Sequence, residues 1–107
     1  MKSKKILALR CALLIAFSEA QKLKDVDDGG TCNFDTPTLT LPSEWTESNV
    51  KEAFKLTGLR PYKEEKNVYH VLGAVDGQGF RRTAMAEAFR DCLVGLGYNS
   101  NVYYQMD

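Results

Sequence analysis

The cleanest hydrophobic period in the chain falls near its C-terminal end. Met85, Phe89, Cys92, Leu93 and Leu96 recur at steps of four, three, one and three, which places them on one face of a helix beginning near Thr83. Glu87 and Arg90 fall on the outer side, and Gly97 stops the helix. A second helix follows Thr46, whose hydroxyl suits an N-cap, with Glu47 adding negative charge at the positive helix end. Val50, Ala53, Phe54 and Leu56 supply its buried side, and Gly58 a left-handed C-terminal residue.

The N-terminal segment predicts a third helix, from about Ser3 to Lys24, with neither Gly nor Pro inside it. Ile6, Leu9, Leu13, Ala16, Phe17 and Ala20 share one face, and Leu7, Cys11, Leu14 and Ile15 make a second apolar stripe beside it. A helix this apolar must bury two sides. One side meets its own domain; the other calls for a further layer or a second copy of the chain. Ile6, Leu7, Leu13, Leu14 and Phe17 are therefore the expected association residues.

Between the helices, alternation predicts strands. Thr31 to Leu41 reads as extended, with Phe34, Thr36, Thr38 and Thr40 on one side. Pro37 cannot donate to a ladder, so this strand lies at an edge, carries a bulge or starts after the proline. Leu59 to Lys63 reads as a short strand, Glu64 to Asn67 as a polar turn, and Val68 to Val75 as a central strand apolar on both faces. Asn99 to Asn101 turns the chain into a last strand, Val102 to Met106. The fold class expected is α+β: an N-terminal helix followed by the β-α-β-β-α-β order of ferredoxin-like folds. If Leu59 to Lys63 is loop, a three-stranded α/β sandwich remains. In the four-stranded arrangement both later helices cover one sheet face, and the N-terminal helix either covers the other or joins a dimer.

Composition changes the picture only at a few points. With 107 residues the chain is expected to be a single domain (1–28 N-terminal helix and acidic turn; 31–107 α+β core). Fourteen basic against 14 acidic side chains give no global field to attract a polyanion, so nucleic acid is a possible partner but not the favoured one. Cys11, Cys32 and Cys92 include no close pair, and His70 is the sole histidine, so a zinc site lacks its usual ligands. An odd, sparse cysteine count fits a reducing, cytoplasmic location. Lys2, Lys4 and Lys5, the apolar run from Ile6 to Phe17 and the small residues before Gln21 imitate a secretory leader cleaved near Ala20. Arg10 breaks that run, and a membrane span is excluded on length.

Four groups of residues invite chemistry. Gly77, Gln78, Gly79, Arg81, Arg82 and Thr83 form a turn after the strongest strand and before the clearest helix, where free N–H groups and arginine forks would suit an anion or a partner's carboxylate. It lacks the full phosphate-loop pattern, and a tight turn with two solvated arginines paired to nearby acids is the favoured reading. Tyr62, Tyr69, Tyr98, Tyr103 and Tyr104, with Arg60, Lys63, Lys66, Arg81 and Arg82, would suit single-stranded bases if one face gathered them. Cys32 and His70 would make a thiolate–imidazole pair if the fold joined them, and Asp25, Asp27, Asp28 and Asp35 would offer oxygen to a hard cation. No motif calls for a cofactor, and no nucleophile–base–orienter set is readable. The expectation is a small non-catalytic binding module that self-associates and meets a protein partner, without a membrane.

Overall fold

The computed structural model describes residues 1–106, which form three helices and a four-stranded antiparallel sheet. Asp107, the end of the expected α+β core, lies outside the described residues. The order is α1 (Ser3–Gln21), β1 (Thr36–Thr40), α2 (Glu47–Phe54), β2 (Arg60–Glu65), β3 (Val68–Leu72), α3 (Gly79–Gly95) and β4 (Asn99–Tyr103). The sheet runs β2-β3-β1-β4, each neighbouring pair antiparallel. Arg60–Glu65 pairs with β3, so the three-stranded alternative is set aside. The last strand starts at Asn99, three residues earlier than the pattern implied, because Asn99 to Asn101 pair with β1 instead of turning.

Pro37 sits inside β1, between β3 and β4, yet the ladder tolerates it. Phe34 N–H donates to the Gln105 carbonyl on the β4 side, and Leu41 N–H donates to the Asn67 carbonyl on the β3 side. Even-numbered residues of β1 therefore bond toward β4 and odd-numbered ones toward β3. The missing Pro37 N–H faces β3 at the point where pairing with β3, which covers Thr38 to Thr40, has ended. In the edge strand β2, the same alternation turns the nitrogen of Pro61 toward solvent.

Leu39, Tyr69 and Val71 face the helices and are buried, along with Val50, Ala53 and Phe54 of α2 and Met85, Phe89 and Leu93 of α3. Thr46 caps α2 as its sequence implies, its Oγ1 accepting from Asn49 N–H at 3.2 Å. Leu56 does not join the buried side: it lies past the end of α2 with φ 66° and is 89% exposed.

The placement of α1 departs most from expectation. It does not cover the far face of the sheet. It packs against both α2 and α3, while among the described residues α2 and α3 make no contact with each other. The N-terminal helix is thus the middle member of the helix layer. Its buried residues are Leu9, Ala12, Leu13, Ala16 and Ala20, and the alanines at four-residue steps leave room for neighbouring backbones to approach. A chain cut after Ala20 would lose all five from the core.

Arg10, which interrupts the apolar run, now has a structural reason. Its Nη2 donates to the Glu52 carbonyl at 2.6 Å and its Nε to the Ala53 carbonyl at 3.4 Å. Both carbonyls lie in the last turn of α2, the Glu52 one also accepting from Lys55 N–H, where a cation meets the negative end of the helix dipole. The arginine is a clamp between two helices. Replacing it (Arg10→Met) keeps the stem and removes the donors, and should lower stability by about 1–2 kcal/mol. Urea unfolding at unchanged slope checks this, with Arg10→Lys expected to lose less.

Candidate functional site

The Gly77–Thr83 segment is the stretch from which an anion site was expected, and the fold does bring its residues together. Gly77 and Gly79 both take positive φ, 74° and 55°. Helix α3 begins at Gly79, four residues before Thr83, so the arginines lie within its first turn. Phe80 N–H donates to the Gly29 carbonyl at 2.9 Å. A Cβ on Gly79 would collide with that same carbonyl, so glycine here allows the 28–29 loop to close over the helix start.

The arginines turn inward, onto the chain's own backbone. Arg81 Nε donates to the Val26 carbonyl at 3.0 Å, and its Nη1 stands 4.0 Å from Asp28. Arg82 Nε donates to the Asp35 carbonyl at 2.8 Å and Nη2 to Thr36 Oγ1 at 3.5 Å. Burial lowers the Arg82 pKa from its usual value, opposed by the negative charge of Asp35 and Asp76. The unfavourable placing of two cations at a positive helix end is offset by these carbonyls and carboxylates.

Asp35 is the residue that sequence reasoning misplaced. Grouped with solvated turn acids, it is 4% exposed and forms the hub of this junction. Its Oδ2 accepts from Thr83 Oγ1 at 2.7 Å and its Oδ1 from Gln105 N–H at 2.9 Å. Asn33 joins in, accepting from Asp35 N–H and donating Nδ2 to the Gly79 carbonyl at 3.1 Å. The start of β1, the start of α3 and the chain beyond β4 are tied at one carboxylate. Nothing in the spacing around Asp35 signals this, because its partners lie 48 and 70 residues away.

Other expected constellations are dispersed. Asp27 turns back to accept from Gly29 N–H, and among the described residues no three His, Cys, Asp or Glu side chains gather as metal ligands. Cys32 is exposed, and His70 belongs to the row of Thr38, about 20 Å along the strand direction from Cys32. His70 is not the core histidine its strand implied: it lies on the uncovered sheet face, with Nε2 3.3 Å from Glu64. Its ring meets Tyr62 edge-on at 6.1 Å and Tyr103 tilted at 5.2 Å, spanning the small threonines of β1. Phe34, two residues before Thr36 and half exposed, falls on the same side by alternation.

The tyrosines do not share one surface. Tyr62 and Tyr103 are on the uncovered face; Tyr69 is buried on the helix side, Tyr98 is half-buried, and Tyr104 donates to Glu87. Of the basic residues grouped with them, Lys63 is bound to Glu47 at 2.6 Å, Arg81 and Arg82 bind carbonyls near the start of α3, Lys66 lies in the turn between β2 and β3, and Arg60 is in the row beside Tyr62. Charge on this face is therefore mixed, not positive.

The expected association residues divide. Leu13 is fully buried and unavailable to a partner, because its side of α1 faces the core. Ile6 and Phe17 pack partly against that core. Leu7, Leu14 and Ile15 remain uncovered at 51%, 42% and 48% exposure, with Cys11 exposed between them. No helix among the described residues is long and apolar enough to cross a membrane.

Thr83→Val should cost about 1–3 kcal/mol by leaving the buried Asp35 carboxylate short of a donor. Gly79→Ala should cost at least about 2 kcal/mol through the collision and the positive φ. Gly95→Ala, where nothing lies within 4 Å of the added methyl, should stabilise by about 0.5–1 kcal/mol; denaturant midpoints of the three variants check the pattern. Compared with models of protein families, with curated proteins and with solved structures, the chain matches none.

Proposed function

We propose that this chain is a small non-catalytic binding module that self-associates through the outer stripe of α1 and presents its remaining surfaces to a protein partner. The core would be a ferredoxin-like β-α-β-β-α-β arrangement, a reading supported by the strand order β2-β3-β1-β4, with α1 inserted between its two helices. One observation carries the association: after α1 has buried its flanks between α2 and α3, Leu7, Leu14 and Ile15 are still half exposed. Leu7, Cys11, Leu14 and Ser18 follow steps of four, three and four, the seam spacing of paired helices.

Magnitudes set how tight this contact is. Covering each half-exposed aliphatic side chain is worth about 1 kcal/mol, hence about 6 kcal/mol for the two copies. That gain stands against an association cost of about 4–15 kcal/mol, so pairing is weak and concentration-dependent.

A two-fold contact gives a sharp test, because a residue at the centre of the stripe meets its own counterpart. Cys11 is that residue. Mild oxidation at high micromolar concentration should yield a Cys11–Cys11 cross-linked dimer, which requires Cα atoms about 4.4–6.8 Å apart. The product should survive Cys32→Ser and vanish in Cys11→Ser and Leu14→Glu. A chain that sediments as a monomer at these concentrations and never cross-links through Cys11 would remove the proposal.

A second reading, binding of single-stranded nucleic acid, draws support from the ring band of Phe34, Tyr62, His70 and Tyr103 on the uncovered sheet face. Arg60 and Glu64 share that face, so such binding would rest on stacking and depend weakly on salt. Loss of oligonucleotide binding in a Tyr62→Ala, Tyr103→Ala double variant is the expected outcome; a steep salt slope would count against stacking.

A further inference from the structure

Apart from the α1 stripe and the sheet face, the molecule has an apolar cavity of about 340 Å³. Three parts of the chain meet around it: the first turns of α1, the segment joining β1 to α2, and the connection from α3 to β4. Leu41 and Trp45 form its buried wall, and Tyr98 lines it half-buried. Lys5 and Glu44 also line it and are more than half exposed, so they stand at its mouth, joined at 2.8 Å. Concave, mainly apolar space of this size with a few polar groups at its rim is what small-molecule sites are made of.

The chemistry of the rim selects the ligand. An exposed ion pair contributes about 0–1 kcal/mol, so either partner is readily displaced by a ligand of its own sign. Lys5 shares the first turn of α1 with Lys4, close to Lys2, and that turn holds no acidic residue. Displacing Glu44 by an incoming anion leaves this basic turn matched; displacing Lys5 by a cation would set that cation among the lysines. The walls are aromatic and the free charge is positive.

We propose that the cavity is a binding site for a small aromatic carboxylate, its ring system against Trp45 and Tyr98 and its carboxylate replacing Glu44 as the partner of Lys5. Burial raises the Tyr98 phenol above the usual tyrosine pKa, so it stays protonated and uncharged near neutral pH. The site does not depend on self-association.

Trp45 is the single tryptophan of the chain, so its indole N–H resonance reports on the cavity wall directly. Titration of the full chain with 1-naphthoate should shift that resonance saturably. Lys5→Gln should weaken binding about tenfold, as expected for loss of a charge-assisted contact, and Glu44→Gln should tighten it. Uncharged 1-naphthalenemethanol should bind more weakly than naphthoate and equally to wild type and Lys5→Gln. Ala8→Trp, which fills the cavity from the α1 side, should abolish the shift by naphthoate. Absence of a saturable shift at millimolar naphthoate, equal naphthoate affinity in Lys5→Gln, or tighter binding of 1-naphthylmethylamine would each overturn the assignment.

Discussion

Everything in this molecule is arranged around the wedging of α1 between α2 and α3. Two helices on one face of a sheet ordinarily meet each other; here they are held apart, and the N-terminal helix fills the gap with Leu9, Leu13 and three alanines. The apolar circumference of α1 follows from this position. A helix flanked on both sides by other helices needs apolar residues over most of its girth, and only the outward strip is left to solvent. The one polar residue that intrudes, Arg10, does so at the end of α2, where it donates to carbonyls of the last turn.

A second constraint closes the far end of the fold. The loop after α1, the start of β1, the first turn of α3 and the segment after β4 converge on Asp35, Asn33, Arg82 and Thr83. A carboxylate this buried must be hydrogen-bonded, and each of its oxygens has a donor from a different part of the chain. The glycines and arginines that resemble an anion cradle are used to build this junction. A helix start has the same requirements whether its N–H groups face a ligand or a neighbouring carbonyl: room for close approach, and polar groups to satisfy. Local sequence does not distinguish the two.

That distinction explains what was legible in the chain. Elements whose signals are local, such as the Thr46 cap, the apolar face of α3 and the stop at Gly97, stand near where pattern places them. Strand order, β2-β3-β1-β4, was not readable from element order, because it is set by pairings between distant segments. What pattern did not show is partner choice across long separations. Alternation puts Asp35 on the side of the buried Leu39 and Leu41 but names none of its partners, and α1 looks the same whether its second stripe meets α3, the sheet or another molecule. Leu13 and Leu14 are adjacent and chemically identical, yet one is fully buried and the other 42% exposed. Only the direction from which α2 and α3 approach separates them.

The position of α1 also bears on how its two outward features relate. The exposed apolar stripe runs over Leu7, Cys11, Leu14 and Ile15, while the cavity takes Lys5 and Ala8 from the same first turns. Coupling between two sites requires an element with two arrangements that each site biases differently. Helix α1 is held on both flanks, clamped by Arg10 and anchored through residues with no exposed surface, so shifting it would open the core. Rigid sharing of one helix therefore makes the two surfaces neighbours without making them partners. A ligand in the cavity would contact one end of α1 and leave the outer stripe where it is.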